Sequence, residues 1–269
     1  NVGNFEDWRR EKEGKKAKQE EREDNVSLNR GMPSRNLAVA IREYAPGTEI
    51  VLDGRVHKTA GISLGWQKVH AEGAKETQKF DVAWHCSSCG QTGYEPDLSR
   101  QNGIMCSNPT CDKPVKLDDQ RRVIQPTGFV ADFYRPPSNN ISQTAYIPVQ
   151  RPWVTGAGDK LPLPNADLGY MVTDTSGHVF HHSSGLYGSG YALCLGCGRA
   201  ESMTATEEYP KTLNPDKPHR PPMPNKYQRD ENGKPECGAS GKIMKSIHLG
   251  YNTTTDVFEL VLRNPVTAE

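Results

Sequence analysis

A chain of 269 residues is long enough for one large domain or two small ones, and 34% hydrophobic residues suffice for a core, but 25 glycines and 20 prolines favour turns over stacked helices. Its 33 basic and 33 acidic side chains cancel, so no global field draws it to nucleic acid or a membrane, and any such contact must come from a local patch. No apolar run approaches the roughly 18 residues that span a bilayer, and no signal peptide is evident, so a soluble, cytoplasmic setting is expected.

Residues 1–30 carry eight basic and eight acidic side chains, which reads as a solvated, charged connector or helix, and a chain that begins at Asn1 in this way is expected to be a piece of a longer protein. Residues 31–80 read as a helix plus β-hairpin module. From Pro33 to Tyr44, Arg35, Arg42 and Glu43 alternate with Leu37, Ala38, Val39, Ala40 and Ile41, which predicts a short helix stopped by Pro46-Gly47. Residues 49–62 predict a hairpin, because Asp53-Gly54 can supply the positive φ of a type I′ turn.

A strand-like run from Phe80 to Trp84 leads into the first cysteine group. Cys86, Cys89, Cys106 and Cys111 read C-x2-C-x16-C-x4-C, two knuckles that can wrap a tetrahedral zinc ion through thiolates, with Gly90 and Pro109 supplying the chain reversals. We expect a zinc ribbon over 81–135, with a further strand from Val123 to Phe133. The odd count of seven cysteines argues against a disulfide framework.

Residues 136–269 read as a terminal zinc-binding β module with Pro-rich loops at Pro136–Pro164 and Pro210–Pro235, draped over the surface or mobile. A hairpin is expected from Tyr170 to Phe180 around Thr175-Ser176-Gly177, and Val257–Leu262, apolar on both faces, is expected to be a central strand. Cys194 and Cys197 follow the strand-like Gly190–Leu193, and Cys237 stands alone further on. A closed site needs a fourth ligand, for which His181, His182, His219 and His248 are candidates. His219 is favoured: it lies between the knuckle and Cys237, and a neutral imidazole keeps the net charge of three thiolates and Zn²⁺ at −1. A catalytic zinc with an open position is the alternative. The expected fold is thus mainly β with irregular loops, a zinc ribbon, a terminal zinc-binding module and short N-terminal helices, holding two zinc ions.

No catalytic constellation holds together. G-x-x-x-x-G-K-[ST], H-E-x-x-H and G-x-S-x-G are all missing, Gly156-Ala157-Gly158 reads as a turn, and Asp132 and Asp256 are single carboxylates at strand ends. The paired His181 and His182 read as an exposed loop. Candidate contacts to nucleic acid are Arg35, Arg42, Arg55, His57, Lys58, Arg121, Arg122 and Arg199, with Trp66, Trp84, Tyr134 and Trp153 as stacking platforms. Arg199 is the first choice, because a metal knuckle could present its guanidinium to phosphate.

Three segments, MPSRNLAVAIREYAPGTEIVLDGRVHKTAGI, GSGYALCLGCGRAESM and IHLGYNTTTDVFELVLR, together resemble the C-terminal region of bacterial superfamily 2 DEAD/DEAH-box helicases that ends in the MrfA-type zinc-binding domain. Similar modules occur in DISARM and Druantia anti-phage defence proteins. The resemblance runs from Pro33 to Leu262, and its pattern falls on Cys194, Cys197, Cys237, Leu249-Gly250 and Thr255-Asp256. Family members often carry four cysteines in the terminal site, whereas this chain offers three. The resemblance implies an accessory region of an ATP-dependent helicase that guides single-stranded DNA, with motor domains in cis or in trans. A non-motor scaffold subunit that binds a separate helicase is the alternative.

Overall fold

The structure, a computed structural model, describes residues 34–64, 79–97, 103–108, 111–142, 144–156, 158–224, 228–238 and 242–262. The connector at 1–30, together with Pro33, Trp66, Pro109 and Ala157, lies outside the described residues. In chain order the elements are helix α1 (Leu37–Glu43) and strands β1 (Glu49–Leu52), β2 (Arg55–Ile62), β3 (Phe80–His85), β4 (Thr92–Pro96), β5 (Gln120–Ile124) and β6 (Phe129–Ala131). They continue with β7 (Trp153–Thr155), β8 (Lys160–Pro162), β9 (Gly169–Ser183), β10 (Tyr191–Cys194), β11 (Ala200–Ser202) and β12 (Ile243–Leu262). The fold is mainly β with irregular loops, as the glycine and proline content implies.

The chain forms two compact units whose boundaries cut across the consecutive modules expected from the sequence. The first takes the described residues within Asn1–Lys79, Ile124–Val149 and Ser183–Leu249, and the second those within Phe80–Val123, Gln150–His182 and Gly250–Glu269.

In the first unit, the Asn36 side chain caps α1 by accepting from the Ala38 N–H at 2.9 Å, and the helix buries Ala40 and Ile41. Strands β1 and β2 form the expected hairpin with Leu52 opposite Arg55. Its turn residues Asp53 and Gly54 have φ of 50° and 73°, the left-handed pair that a type I′ turn requires. Strand β6 completes a three-stranded sheet in the order β1-β2-β6. Strand β10, wholly buried, pairs with β11 on one side and with the start of β12 on the other. These two β layers meet backbone to backbone. The Ile62 N–H donates to the Gly198 carbonyl at 2.9 Å, and a Cβ on Gly61 would stand 2.3 Å from that same oxygen.

In the second unit, β3 is flanked by β4 and β5, and buries Val82, Ala83 and Trp84. Strands β7 and β8 both pair with the long β9, at Trp153 opposite Phe180 and Leu161 opposite Met171. Ala83, Val123 and Phe180 form a core against which Tyr94 and Trp153 pack.

Three sequence expectations are corrected. Tyr170–Phe180 is not a hairpin but one stretch of β9: β8 pairs with it at Tyr170–Val172, β7 at His178–Phe180, and β9 pairs with β12 as well. Gly177, with its Cβ position 2.5 Å from Val257 Cγ2, serves close packing in place of a turn. Val123–Phe133 breaks at Pro126 into β5 and β6, since proline has no N–H to continue a ladder. Val257–Leu262 ends β12, which lies inside the sheet order between β10 and β5, but it is not covered on both faces: Phe258 is 63% exposed and Leu260 and Leu262 lie open on the same side, whereas β12 is buried earlier, from Ile247 to Gly250. The described residues of the loop at Pro210–Pro235 form no helix or strand, yet the loop is anchored, with Leu213 and His219 buried.

The glycine contact yields a prediction. Gly54→Ala, in open space at positive φ, is expected to cost about 1 kcal/mol from the left-handed backbone alone. Gly61→Ala forces backbone against backbone, so it should lower the urea midpoint further than Gly54→Ala does. Equal midpoints for the two variants would show that the layers can part without cost.

Candidate metal centres

The first centre lies in the second unit. Strand β3 delivers Cys86, whose carbonyl accepts from the N–H groups of Cys89 at 3.4 Å and Gly90 at 2.8 Å, and Gly90 at φ 80° turns the chain back. The second knuckle repeats this scheme, with the Asn108 carbonyl accepting from Cys111 at 2.9 Å and Asp112 at 3.3 Å. Asp112 takes the positive-φ role, at 42°. The Cys106 N–H donates to the Lys113 carbonyl at 2.9 Å and closes the turn. Val82, Trp84, Ile104 and Val115 pack behind the sulfurs.

The ligand atoms of Cys86, Cys89, Cys106 and Cys111 all lie within 4.8 Å of one another. Cys86 Sγ is 3.9 Å from Cys111 Sγ, and Cys89 Sγ is 3.5 Å from Cys106 Sγ. Thiolates around a tetrahedral ion of zinc-like size stand about 3.8 Å apart, so the donors fit such an ion. Burial opposes ionisation of Cys86, but N–H groups of Ser88 and Cys89 outweigh it and bring the thiol down to about 7. Burial pushes Cys106 up to about 12 and also raises Cys111. A metal entering here must displace protons from the latter two thiols, which couples binding to proton release.

The second centre lies in the first unit and is enclosed. Strand β10 ends on Cys194, whose carbonyl accepts from the Gly198 N–H at 2.9 Å, forming the knuckle that carries Cys197. The remaining two ligands come from a loop whose described residues form no helix or strand. There His219 and Cys237 exchange both backbone hydrogen bonds, at 3.3 Å and 2.7 Å, and this isolated bridge sets their side chains next to each other. The ligand atoms of Cys194, Cys197, His219 and Cys237 lie within 4.8 Å of one another, and all four residues are at most 5% exposed.

Cys194 Sγ is 3.9 Å from Cys237 Sγ, and Cys197 Sγ is 3.3 Å from His219 Nε2, which identifies Nε2 as the ligand atom. The His219 Nδ1 is buried without a hydrogen-bond partner. Contacts from Cys197 and Cys237 hold the Cys194 thiol far below its ordinary value, while contacts from Cys194 and Cys237 push Cys197 far above. Burial works against the His219 imidazolium, yet Cys194 and Cys237 outweigh it and carry its pKa up to about 9. A metal entering here must displace the protons of His219 and Cys197, which couples binding to proton release.

Among the described residues these are the two groups of His, Cys, Asp and Glu whose ligand atoms converge in this way. Both can hold a metal ion. Of the other histidines considered for the second centre, His248 is buried with its Nδ1 2.9 Å from Ser184 Oγ. His182 is stacked on Phe180 at 5.4 Å and against Trp153 at 4.9 Å. The expected exposed loop at His181-His182 is therefore the end of β9, with His182 buried. Sequence reading missed Gln228, whose Nε2 donates to the Gly196 carbonyl at 2.9 Å and approaches Cys237 Sγ at 3.7 Å. An amide beside a thiolate has no motif that could have revealed it.

The residues considered for nucleic-acid contact separate clearly. Arg199, 13% exposed at its side chain, does not present its guanidinium outward. It contacts Glu201 at 2.7 Å and Asp132 at 4.0 Å and donates to the Arg220 carbonyl at 3.2 Å, so it braces the knuckle. Asp132 also pairs with Arg220 at 3.1 Å, and Arg220 lies over the Tyr134 ring. Trp84, 1% exposed and bonded to Glu95, cannot stack on a base. Trp153 packs against Phe180. Arg122 pairs with Asp97 and Arg35 with Glu43, while Arg35, Arg42 and Arg55 are exposed and Lys58 is half-buried.

Compared with protein-family models, curated proteins and solved structures, the chain matches none, so the centres are interpreted from their own chemistry. No helix among the described residues is long and apolar enough to cross a membrane.

Two predictions follow from this geometry. Titration with cobalt(II) should show His219→Ala losing affinity at one centre by more than the roughly 10–100-fold that loss of an outer-shell partner costs, with the other centre unchanged. Two centres of undiminished affinity in that variant would exclude His219 as a ligand. Burial, followed by the charge of Arg121 and of His181, pulls the His182 pKa down to about 4. The unfolded chain takes up this proton first, so stability present above pH ~6.5 should fall as pH drops toward 4, by at most roughly 3 kcal/mol. Urea unfolding of His182→Phe, which keeps the stack, should flatten that slope, and an unchanged slope would assign it to other groups.

Proposed function

We propose that both centres bind zinc and that the chain is the zinc-stabilised accessory region of an ATP-dependent nucleic-acid helicase or translocase, working in the cytoplasm in anti-phage defence or DNA repair. One observation supports the reading: the ligand atoms of Cys194, Cys197 and Cys237, the residues onto which the resemblance to the MrfA-type zinc-binding domain maps a metal knuckle and a downstream ligand, converge with that of His219 to within 4.8 Å. Thiolate-rich sets of four ligands with no open position suit structural zinc, which needs no redox activity and adapts to a tetrahedron. On this reading zinc contributes folding free energy to a region with little helix and long loops, and the rigid result serves as a platform.

Strand separation and ATP hydrolysis belong to motor domains in cis or in trans. Single-stranded DNA is the proposed ligand, held through phosphate contacts from Arg35, Arg55 and Lys58. A second reading, a non-motor scaffold subunit whose partner is protein, is favoured by the apolar row of Phe258, Leu260 and Leu262 exposed along one side of β12.

Elemental analysis of the purified chain should find two zinc ions. Fluorescence anisotropy should show single-stranded DNA binding that weakens with salt, and Arg55→Ala should reduce the slope of log Kd against log salt by about one. One ion per chain would remove a centre. Two ions without salt-sensitive DNA binding would remove the guidance role and leave the scaffold reading.

A further inference from the structure

The two centres share a donor chemistry and differ in access. Every ligand of the second is at most 5% exposed, with Leu213, Met203 and Ile243 packed around the sulfurs. In the first, Cys86 and Cys106 are buried, Cys111 is half-buried and Cys89 is exposed. The exposed residue has a close neighbour: Cys89 Sγ and Cys106 Sγ are 3.5 Å apart, against 3.9 Å for Cys86 and Cys111. They belong to different knuckles, so a bond between them would join the two turns. A thiolate that solvent reaches is the one an oxidant in solution meets first.

We propose that Cys89 is an oxidation site for hydrogen peroxide, with Cys106 as its resolving partner, and that forming this disulfide releases zinc from the first centre while the second keeps its ion. The proposal rests on the zinc reading of both centres. The Cys89 thiolate attacks one peroxide oxygen and the O–O bond breaks, leaving a sulfenic acid on Cys89 and one hydroxide. The Cys106 thiolate attacks the sulfenic sulfur, the S–S bond forms, and a second hydroxide leaves. Two electrons have passed from the two thiolates to the peroxide, and two protons from solvent convert the hydroxides to water. Cys86 and Cys111 would then be the two ligands left to hold zinc, too few for a closed tetrahedral site. The buried cysteines of the second centre offer peroxide no such entry.

The test uses the full chain loaded with zinc. Peroxide is added in modest excess, a chromophoric chelator reports released zinc, and non-reducing peptide mass spectrometry locates disulfides. The expected result is one equivalent of zinc released at least roughly tenfold faster than the second, a Cys89–Cys106 disulfide, and unmodified Cys194, Cys197 and Cys237. Reductant and added zinc should restore the first ion. Release of both ions together, or of the second centre's ion first, overturns the proposal. So does a disulfide that omits Cys89 or joins it to Cys86 or Cys111, and so does an oxidant-resistant first centre. Starting material that binds no zinc at all removes the zinc reading itself, an outcome distinct from two bound ions that leave in the wrong order.

Discussion

The first unit depends on a pair of hydrogen bonds. His219 and Cys237 come from a loop whose described residues form no helix or strand, and their reciprocal backbone bridge is what turns two distant residues into neighbouring ligands. The knuckle at Cys194 and Cys197 is local and needs only β10 and the turn after it, but half of the coordination set is delivered by that one bridge. A bound ion would supply the closure energy that a long irregular loop lacks, and in return the loop seals the site with Leu213 and Tyr209.

From that centre the constraint passes to the rest of the unit through two adjacent residues. Gly198 accepts from Ile62 and leaves no room for a side chain opposite, while Arg199 ties Glu201, Asp132 and the carbonyl of Arg220 together. Asp132 follows β6, Arg220 follows His219, and Gly61 belongs to β2, so the knuckle's last turn joins the three-stranded sheet to the metal loop. The basic residue beside the knuckle thus has an internal purpose: with Arg220 it balances two carboxylates, of which Asp132 is buried.

What could be read from the sequence was whatever short-range chemistry decides. Asp53-Gly54 dictates its own turn, C-x2-C dictates a knuckle, and proline at 46 ends a helix, because each depends on a few adjacent dihedral angles. The β-rich class followed from glycine and proline content for the same reason. The convergence of His219 with three cysteines was legible only as ligand arithmetic, three thiolates lacking a fourth donor. What failed was governed by distant partners. Thr175-Ser176-Gly177 has the composition of a turn, but it lies within one continuous strand, which β8 pairs before it, β7 pairs after it and Val257 on β12 approaches closely. Likewise Val257–Leu262 has the composition of a central strand, but nothing in six apolar-rich residues tells whether neighbours lie on both faces. Arg199 and Trp84 look like ligand-binding groups until Asp132 and Glu95 are found beside them.

The buried, unpartnered Nδ1 of His219 has a further consequence. Metal-bound imidazoles ordinarily lean on an acceptor at their far nitrogen, which fixes the ring and strengthens it as a donor. Here orientation comes from the backbone bridge and the walls of the site, so the far side of the ring adds volume and no bond. Position 219 can therefore change without orphaning an acceptor, yet Nε2 reaches further from the backbone than a cysteine Sγ does, so a sulfur donor there would take a zinc-filled site from −1 to −2 only if the bridge moved toward the ion. A three-cysteine, one-histidine centre and a four-cysteine centre thus differ in the path of the loop as well as in one residue.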